Sequence, residues 1–177
     1  MDRGAAAAGG SEDSVIRVCL HGAESTGKST LALRLGYPVV PEYGRAYCEE
    51  RGTDLTMADL LAIAEGQDAA MRKAAAQEPS VLLLDTDPLM TAAWAQMLFG
   101  EVPMVLLAYE KAERYLLFAP DVPWVDDGTR FFGSDGARAD FARIAQNMLD
   151  RAGVSYDIIS GDWQVREMQA RHLLSRL

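Results

Sequence analysis

The chain carries the octapeptide GAESTGKS at residues 22–29, between the apolar run VIRVCL at 15–20 and the segment KSTLALRLG at 28–36. The octapeptide matches the phosphate-binding pattern GxxxxGK followed by Ser or Thr, and its neighbours predict the strand before it and the helix after it that this pattern requires. A glycine turn between strand and helix would explain neither Lys28 nor Ser29. We therefore expect a nucleoside triphosphate site in this loop.

Each residue type in the octapeptide has a physical reason. The glycines let backbone N–H groups turn inward around phosphates, and the helix N-terminus adds partial positive charge. Lys28 is expected to reach the terminal phosphates, and Ser29 to hold Mg²⁺. The residues predicted to contact bound ATP here are Gly22, Glu24, Ser25, Thr26, Gly27, Lys28, Ser29 and Thr30.

Length and charge exclude several classes of protein. The chain has 177 residues, of which 49% are hydrophobic, and this length favours one domain with a single core. Its 17 Lys and Arg against 26 Asp and Glu give a formal charge of −9, which disfavours nucleic acid and anionic membranes as partners. No apolar run reaches membrane-spanning length and no signal peptide is evident, so we expect a cytoplasmic protein. The oligomeric state stays open.

Residues 1–14 are rich in Ala and Gly and lack periodicity, so we interpret them as a flexible leader or an extension added for expression, and place one domain at 15–177. Two cysteines, Cys19 and Cys48, form no CxxC pair and are expected to be reduced and structural. With only two histidines as well, a zinc site built by the protein is not expected.

From residue 15 onward short apolar runs alternate with helical segments, which is typical of an α/β fold with a parallel sheet. A long helix is expected from Thr56, whose spacing to Asp59 fits a capping box, and another from Pro88, with Asp87 as N-cap, to a stop at Gly100. Five parallel strands are predicted at 15–20, 38–40, 81–84, 115–118 and 156–160. Further helices are expected from Lys28 to a stop at Gly36, at 103–113, at 135–150 and from after Gly161 to Leu177.

Two aspartates follow the continuously apolar strand at 81–84. Asp85 is predicted to orient Mg²⁺ together with Ser29, as a carboxylate at the end of a buried strand does in phosphate-loop enzymes. Asp87 either caps the next helix or contacts substrate. Because ligands of parallel sheets lie beyond the carboxyl ends of the strands, the residues after the other strands belong to the same site. They are Glu42, Tyr43 and Arg45, expected in a loop, and the segment 120–130.

An acidic protein that handles phosphates must place cations locally. Besides Lys28, we expect Arg130 and Arg138 to fold over ATP as a lid, with solvated surface arginines as the alternative.

Several blocks in one order resemble a known family. GAESTGKSTLA, PEYGRAYCEE, IAEGQ, LLLDTDPLMTAAWAQMLFG, YLLFAPDVPWVDDGTR and GDWQVRE are similar to the ribosylnicotinamide kinase domain of the bacterial NAD-biosynthesis regulator NadR, from about Val15 to Glu167. The resemblance implies a three-layer P-loop kinase fold with a lid, and transfer of the ATP γ-phosphate, with Mg²⁺, to the 5′-hydroxyl of nicotinamide riboside. It covers the kinase part alone, so the regulator's DNA-binding and adenylyltransferase activities are not expected to carry over.

In this setting the resemblance favours Glu42 as the base that takes the hydroxyl proton, with Asp85 as the competing carboxylate. Arg45 would neutralise a carboxylate or the transferred phosphate, or form a surface salt bridge. Trp94 has a core and a ligand interpretation, and so has Trp163, which would either flank the adenine or anchor the last helix. The groups expected around the cationic pyridinium are Glu42, Tyr43, Asp87, Trp94, Trp124, Asp126 and Asp127.

Two alternatives remain at this point. P-loops and paired aspartates occur in many kinases, so the acceptor could be another nucleoside or a nucleotide. A nucleotide-binding sensor without efficient turnover would use the same loop.

Overall fold

A computed structural model describes residues 14–123 and 135–177. Strands and helices alternate along the chain, as the apolar pattern predicts. The strands are β1 (Ile16–Gly22), β2 (Val39–Val40), β3 (Val81–Leu84), β4 (Arg114–Phe118) and β5 (Tyr156–Ile159). The helices are α1 (Lys28–Leu35), α2 (Tyr43–Arg51), α3 (Met57–Ala75), α4 (Pro88–Phe99), α5 (Met104–Ala108), α6 (Asp135–Ala152) and α7 (Trp163–Leu174).

The five strands form one parallel sheet in the order β2-β3-β1-β4-β5. β1 is central, and Cys19 lies opposite Leu84 of β3 on one side and Tyr115 of β4 on the other. The predicted five-stranded parallel sheet is confirmed. The phosphate loop therefore leaves the middle of the sheet, where the carboxyl ends of its neighbours surround it.

Alternate residues of the sheet face two helical layers. Val18 and Leu20 of β1 pack in a cluster with residues of α1 and α7. Cys19 faces the other way, in a cluster with residues of α3, α4 and α6. The sheet is thus covered on both faces, which is why β3 is apolar at every position rather than at alternate ones. The three-layer prediction is confirmed.

One helix was not predicted. The residues after β2 are expected in a loop, but α2 begins at Tyr43 and continues to Arg51. Its N-cap residue, Glu42, makes no side-chain hydrogen bond to the helix. The acceptor for the Tyr43 N–H is instead Oε1 of Gln67, at 2.8 Å, which comes from α3. The start of α2 is therefore stabilised by a distant residue, so the local sequence carries no capping signal for it.

A second helix is shorter than predicted. The segment 103–113 is expected to be helical throughout, but α5 ends at Ala108 and Tyr109 is extended. Lys111 folds back and donates from Nζ to the carbonyl oxygens of Leu107, at 2.8 Å, and Tyr109. These bonds satisfy two carbonyl groups that would accept backbone N–H bonds if the helix continued.

The predicted helix ends are otherwise close. The Thr56–Asp59 capping box is present, Asp87 caps α4, and Gly36 and Gly100 end α1 and α4 in the left-handed conformation. Among the described residues, no helix is long and apolar enough to cross a membrane. The division into a leader at 1–14 and a domain at 15–177 stays a prediction.

Candidate active site

Two glycines of the phosphate loop are required by their surroundings. Gly22 has φ +128°, and a Cβ there would lie 2.6 Å from the carbonyl oxygen of Phe118 in β4. Gly27 has φ +83° and is the N-cap of α1, where a Cβ would lie 2.4 Å from the ring of Trp163. Only glycine fits both positions, because side chains meet steric conflict at positive φ. The loop thus wraps tightly around the N-terminus of α1.

Lys28 folds back over this loop. Its Nζ donates to the carbonyl oxygens of Gly22, at 2.9 Å, and Ala23, at 2.7 Å. Burial lowers the pKa of Lys28, and the nearby carboxylates of Asp85 and Glu42 oppose this shift. The ammonium group lies near the N-terminus of α1. An anion bound there would interact with the positive charge of Lys28 and with the partial positive charge of the helix N-terminus.

Asp85 and Ser29 lie together where β3 ends beside α1. Asp85 is buried, and this burial raises the pKa of its carboxyl, while a hydrogen bond from Ser29 and the charge of Lys28 lower it. A hydroxyl and a carboxylate are hard oxygen donors of the kind that Mg²⁺ prefers. The pair fits the predicted magnesium-holding role, with Ser29 on the helix and Asp85 on the strand.

Glu42 follows β2 and lies close enough to Asp85 and Lys28 for their charges to act on its carboxyl group. Burial, followed by the like charge of Asp85, raises the pKa of Glu42 to about 7, although Lys28 and Arg45 pull it downward. Its side chain is still 33% exposed, so it is accessible from the pocket. A carboxyl group that titrates near neutral pH can exchange a proton with a bound hydroxyl.

A cavity of about 390 Å³ runs from the phosphate loop past Glu42. The sequence-predicted residues that line it are Gly22, Glu24, Ser25, Thr26, Gly27, Lys28, Ser29, Thr30, Glu42 and Arg45. The far wall is formed by residues of α2, α3, α4 and α6 and the turns that join them. These wall residues are Gly44, Cys48, Leu55, Leu60, Ile63, Gln67, Thr86, Met90, Thr91, Trp94 and Phe141.

The far wall has an aromatic pair. Trp94 of α4 and Phe141 of α6 have ring centroids 4.4 Å apart with planes tilted by 41°. Trp94 is partly buried and also packs against the core cluster below it, so both of its interpretations describe part of its environment. Phe141 is 1% exposed and belongs to the same core cluster, as expected for an aromatic residue on the apolar face of an amphipathic helix, and the sequence does not indicate that it also borders the cavity.

The side chains of Arg45 and Tyr43, the two other predicted residues after β2, point to different places. Arg45 lines the cavity and lies 3.8 Å from a carboxylate oxygen of Glu42. Tyr43 packs its ring on Gly66 of α3, where a Cβ would come within 2.4 Å of the ring. Tyr43 therefore lies beside the cavity and is not one of its lining residues.

Asp87 occupies a different environment from Asp85. One carboxylate oxygen accepts from the Leu89 N–H at 3.0 Å, as the cap of α4, and the other accepts from the Tyr115 hydroxyl at 2.5 Å. A carboxylate oxygen of Asp87 also lies within 4.8 Å of the Cys19 sulfur and of a ring nitrogen of His21, and all three residues are buried. The hydrogen bonds from Leu89 and Tyr115 account for the burial of Asp87, and the capping interpretation of this residue is confirmed.

Arg138 is buried against the outside of the phosphate loop. It donates to the carbonyl oxygens of Val122 at 2.7 Å, Ser25 at 3.2 Å and Glu24 at 3.3 Å. These bonds hold the backbone of the loop, and the role of Arg138 as a lid over ATP stays a prediction.

Trp163 caps the other side of the loop. Trp163, at the start of α7, is half exposed, and its ring lies against Gly27 of the phosphate loop. Arg166, which is fully buried, donates to the carbonyl oxygens of Thr26 at 3.2 Å and Ala119 at 2.9 Å and pairs with Asp121. Trp163 therefore contacts the loop while half of its surface is exposed, and the guanidinium of Arg166 lies 6.0 Å from the centre of its ring. Four predicted residues, Trp124, Asp126, Asp127 and Arg130, lie outside the described residues.

The parallel sheet, the phosphate loop after its central strand and the carboxylates after the neighbouring strands define a P-loop kinase fold. Residues 17–166 match the family model described as an AAA domain, and the chain belongs to that family.

Solved structures show the same fold. A NadR protein in complex with NR is 24% identical, with a TM-score of 0.79, and the match covers 92% of this chain and 51% of that one. A NadR protein in complex with NAD and AMP-PNP is 22% identical, with a TM-score of 0.72, over 92% and 49% of the two chains. A deoxyadenosine kinase from M. mycoides is 10% identical, with a TM-score of 0.67, over 92% and 100%.

The resemblance to NadR that the sequence motifs indicate is thereby confirmed for the fold. The chain spans about half the length of the NadR chains that it matches.

Proposed function

We propose that this chain transfers the γ-phosphate of ATP to the 5′-hydroxyl of nicotinamide riboside, giving nicotinamide mononucleotide for NAD salvage. One observation carries the proposal: the phosphate loop, Glu42 and the aromatic residue Trp94 line the same cavity. The fold shared with NadR proteins bound to NR and to AMP-PNP, an ATP analogue, supports this choice of substrates.

ATP would bind with its phosphates inside the loop. Lys28, now bonded to two carbonyl oxygens of that loop, would exchange them for the terminal phosphates, where its charge stabilises the transferred group. Ser29 and Asp85 would hold Mg²⁺, which would supply neutralisation of phosphate charge when bound. The exposed part of Trp163 would lie against the adenine, and Arg138 would hold the backbone of the loop through its bonds to the Glu24 and Ser25 carbonyls.

Glu42 would take the proton from the acceptor hydroxyl. Its pKa of about 7 leaves a useful fraction ionised at neutral pH while keeping it basic enough to accept a proton. Asp85 is the competitor, and its hydrogen bond with Ser29 supports giving it the magnesium role instead. The carboxylate beside β2 and the carboxylate beside β3 would thus have separate tasks.

The nicotinamide ring would lie at the far wall. A pyridinium cation is attracted to the faces of aromatic rings, and Trp94, which lines the cavity, would offer one. Phe141 is 1% exposed and packs against Trp94, so it would support that ring. Arg45, beside Glu42, would balance the negative charge that gathers as the phosphoryl group arrives. Arg130 as a lid cation, and Tyr43, Trp124, Asp126 and Asp127 as further substrate contacts, stay predictions.

The test is a phosphorylation assay with Mg-ATP on the purified chain. Nicotinamide riboside, deoxyadenosine, thymidine and thymidine monophosphate are compared as acceptors, and product formation is followed by chromatography. The expected result is nicotinamide mononucleotide, with at least a tenfold preference in kcat/KM over the other acceptors. Reaction with the other compounds but not the riboside would make the protein a different nucleoside or nucleotide kinase, and ADP release that no acceptor stimulates would favour a sensor.

A further inference from the structure

Gln67, which has no role in the mechanism so far, contacts three backbone groups at the cavity. It belongs to α3 and is only 1% exposed. Its Oε1 accepts from the Tyr43 N–H at 2.8 Å, and its Nε2 lies 3.4 Å from the carbonyl oxygen of Pro41 and 3.5 Å from that of Thr86. One partner can only donate and two can only accept, so the orientation of the amide is fixed by its surroundings.

Two of these contacts enclose Glu42. The Pro41 carbonyl belongs to the peptide before Glu42, and the Tyr43 N–H to the peptide after it. Since Glu42 makes no side-chain cap to α2, the shorter bond from Gln67 is what satisfies the first N–H of that helix. The backbone on both sides of Glu42 is therefore held by one side chain from another helix.

The third contact lies directly after Asp85. Thr86 has φ +120°, a conformation that is strained for a β-branched residue. Its buried Oγ1 has no hydrogen-bond partner within residues 14–123 and 135–177. Such a turn persists only when surrounding contacts hold it, and here it separates Asp85, beside Ser29, from Asp87, which caps α4. The amide of Gln67 is one of those contacts.

We propose that Gln67 is a positioning residue that fixes the ends of β2 and β3 relative to each other, so that Glu42 and Asp85 face one transferred phosphoryl group. This inference rests on the proposed function, because it assigns the pair to one reaction. It does not depend on which nucleoside is the acceptor. The residue acts through the backbone: its side chain borders the cavity but is only 1% exposed, so the proposal assigns it no bond to ATP or the riboside.

The test begins with Gln67→Met, which keeps the length of the side chain and removes both polar atoms. We expect kcat to fall at least tenfold, since small displacements of reacting groups have large effects on rate, while KM for Mg-ATP stays within about twofold. A role in stability alone would lower the melting temperature without this separation of kcat from KM. Gln67→Glu keeps the acceptor for the Tyr43 N–H and loses the donor, so its kcat should lie between those of wild type and Gln67→Met.

Gln169→Met is the matched control. Gln169 of α7 also accepts a backbone N–H after a strand, that of Ser160 at 3.0 Å, at the opposite edge of the sheet. Its replacement removes the same kind of bond and should leave kcat within twofold of wild type. A tenfold loss of kcat in this control would overturn the assignment to Gln67, because any lost helix-to-strand bond would then have the same effect.

A second measurement needs no substrate. Hydrogen exchange of the Tyr43 amide should be at least tenfold faster in Gln67→Met and unchanged in Gln169→Met. If wild type phosphorylates no acceptor, the proposed function fails, and the exchange rate alone decides whether Gln67 holds this peptide. If wild type is active and Gln67→Met keeps kcat within twofold, or its Tyr43 amide exchanges at the wild-type rate, the positioning role is wrong. Should Gln67→Met melt below the assay temperature, Gln67→Glu decides: wild-type kcat in that variant overturns the role of the donated bonds.

Discussion

The two ends of the cavity are built in different ways. The end where the proposed function places ATP, called the ATP end here, is formed by residues of the segment 22–30, whose backbone shape follows from two glycines and the start of one helix. The far end is assembled from residues of four helices, between Glu42 and Phe141 in the sequence. The first end is therefore a local property of the chain, whereas the second exists only when the helices pack.

This difference separates rate from selectivity. Phosphate groups are the same in every reaction of this kind, and a fixed local loop suffices to bind them. The acceptor differs between enzymes, and a wall contributed by several helices can change residue by residue without altering the loop. We expect changes at the ATP end to affect the rate with every acceptor, and changes at the far wall to affect one acceptor more than another.

The largest effect is expected where the two ends meet. Glu42→Gln removes the base and should lower kcat by about 10²- to 10⁴-fold. In wild type, kcat/KM should rise with pH and level off above pH 7, because the pKa of Glu42 is raised to about 7 and only its ionised form accepts a proton. The variant should lose this rise, as measured by initial rates between pH 5.5 and 9.

Glu49→Gln is the control for this variant. Glu49 is exposed on the same helix, α2, and its replacement should change neither the rate nor its pH dependence. If Glu42→Gln keeps the wild-type pH profile, Asp85 or another group is the base. If that base is Asp85, it lies at the end of β3 and not at the end of β2.

Lys28→Ala tests the ATP end alone. Loss of the charge that stabilises the transferred phosphoryl group should lower kcat by about 10²- to 10³-fold with every acceptor that wild type accepts. The exposed Lys73 of α3 provides the matched control, and Lys73→Ala should keep the wild-type rate. A Lys28→Ala variant within a few fold of wild type would remove this residue from the mechanism.

The same division explains what the sequence could predict. The motif at 22–29, the apolar run before Asp85 and the caps at Thr56 and Asp87 are local patterns, and the structure has them as predicted. The order of strands along the chain fixed the parallel sheet, because strands joined through helices run in the same direction. Asp85 could be placed beside the loop for the same reason.

The far wall could not be predicted in this way. Phe141 belongs to a helix of ordinary amphipathic pattern, and only the packing of α6 on α4 brings its ring to Trp94. The start of α2 depends on Gln67 of α3, so the local sequence around Tyr43 was interpreted as a loop. The block IAEGQ was noticed as part of the family resemblance, but nothing in a single sequence connects Gln67 with Glu42.

Replacing one tryptophan at each end compares them directly. Trp94→Ala should raise KM for nicotinamide riboside by about 3- to 30-fold, which is the loss of one cation–π contact, and leave KM for ATP unchanged. Trp163→Ala should do the reverse, since its ring lies on Gly27 of the phosphate loop. Steady-state kinetics with each substrate varied in turn measures both. Equal changes in the two KM values, for either variant, would mean that the tryptophan supports the fold and not one substrate.

The smallest effect is expected at the N-terminus of α3, the helix that carries Gln67 and part of the far wall. The Asp59 N–H donates to Oγ1 of Thr56 at 3.3 Å, and the Thr56 N–H donates to the Asp59 carboxylate at 2.8 Å. Thr56→Ala removes half of this box and should cost about 1 kcal/mol, or about 2–4 °C in melting temperature by calorimetry. The exposed Thr53 in the preceding loop gives the control, and Thr53→Ala should melt like wild type. Because the core holds the rest of α3, kcat in Thr56→Ala should stay within twofold of wild type. A larger loss of kcat would mean that the far wall depends on the start of this helix as much as the ATP end depends on the start of α1.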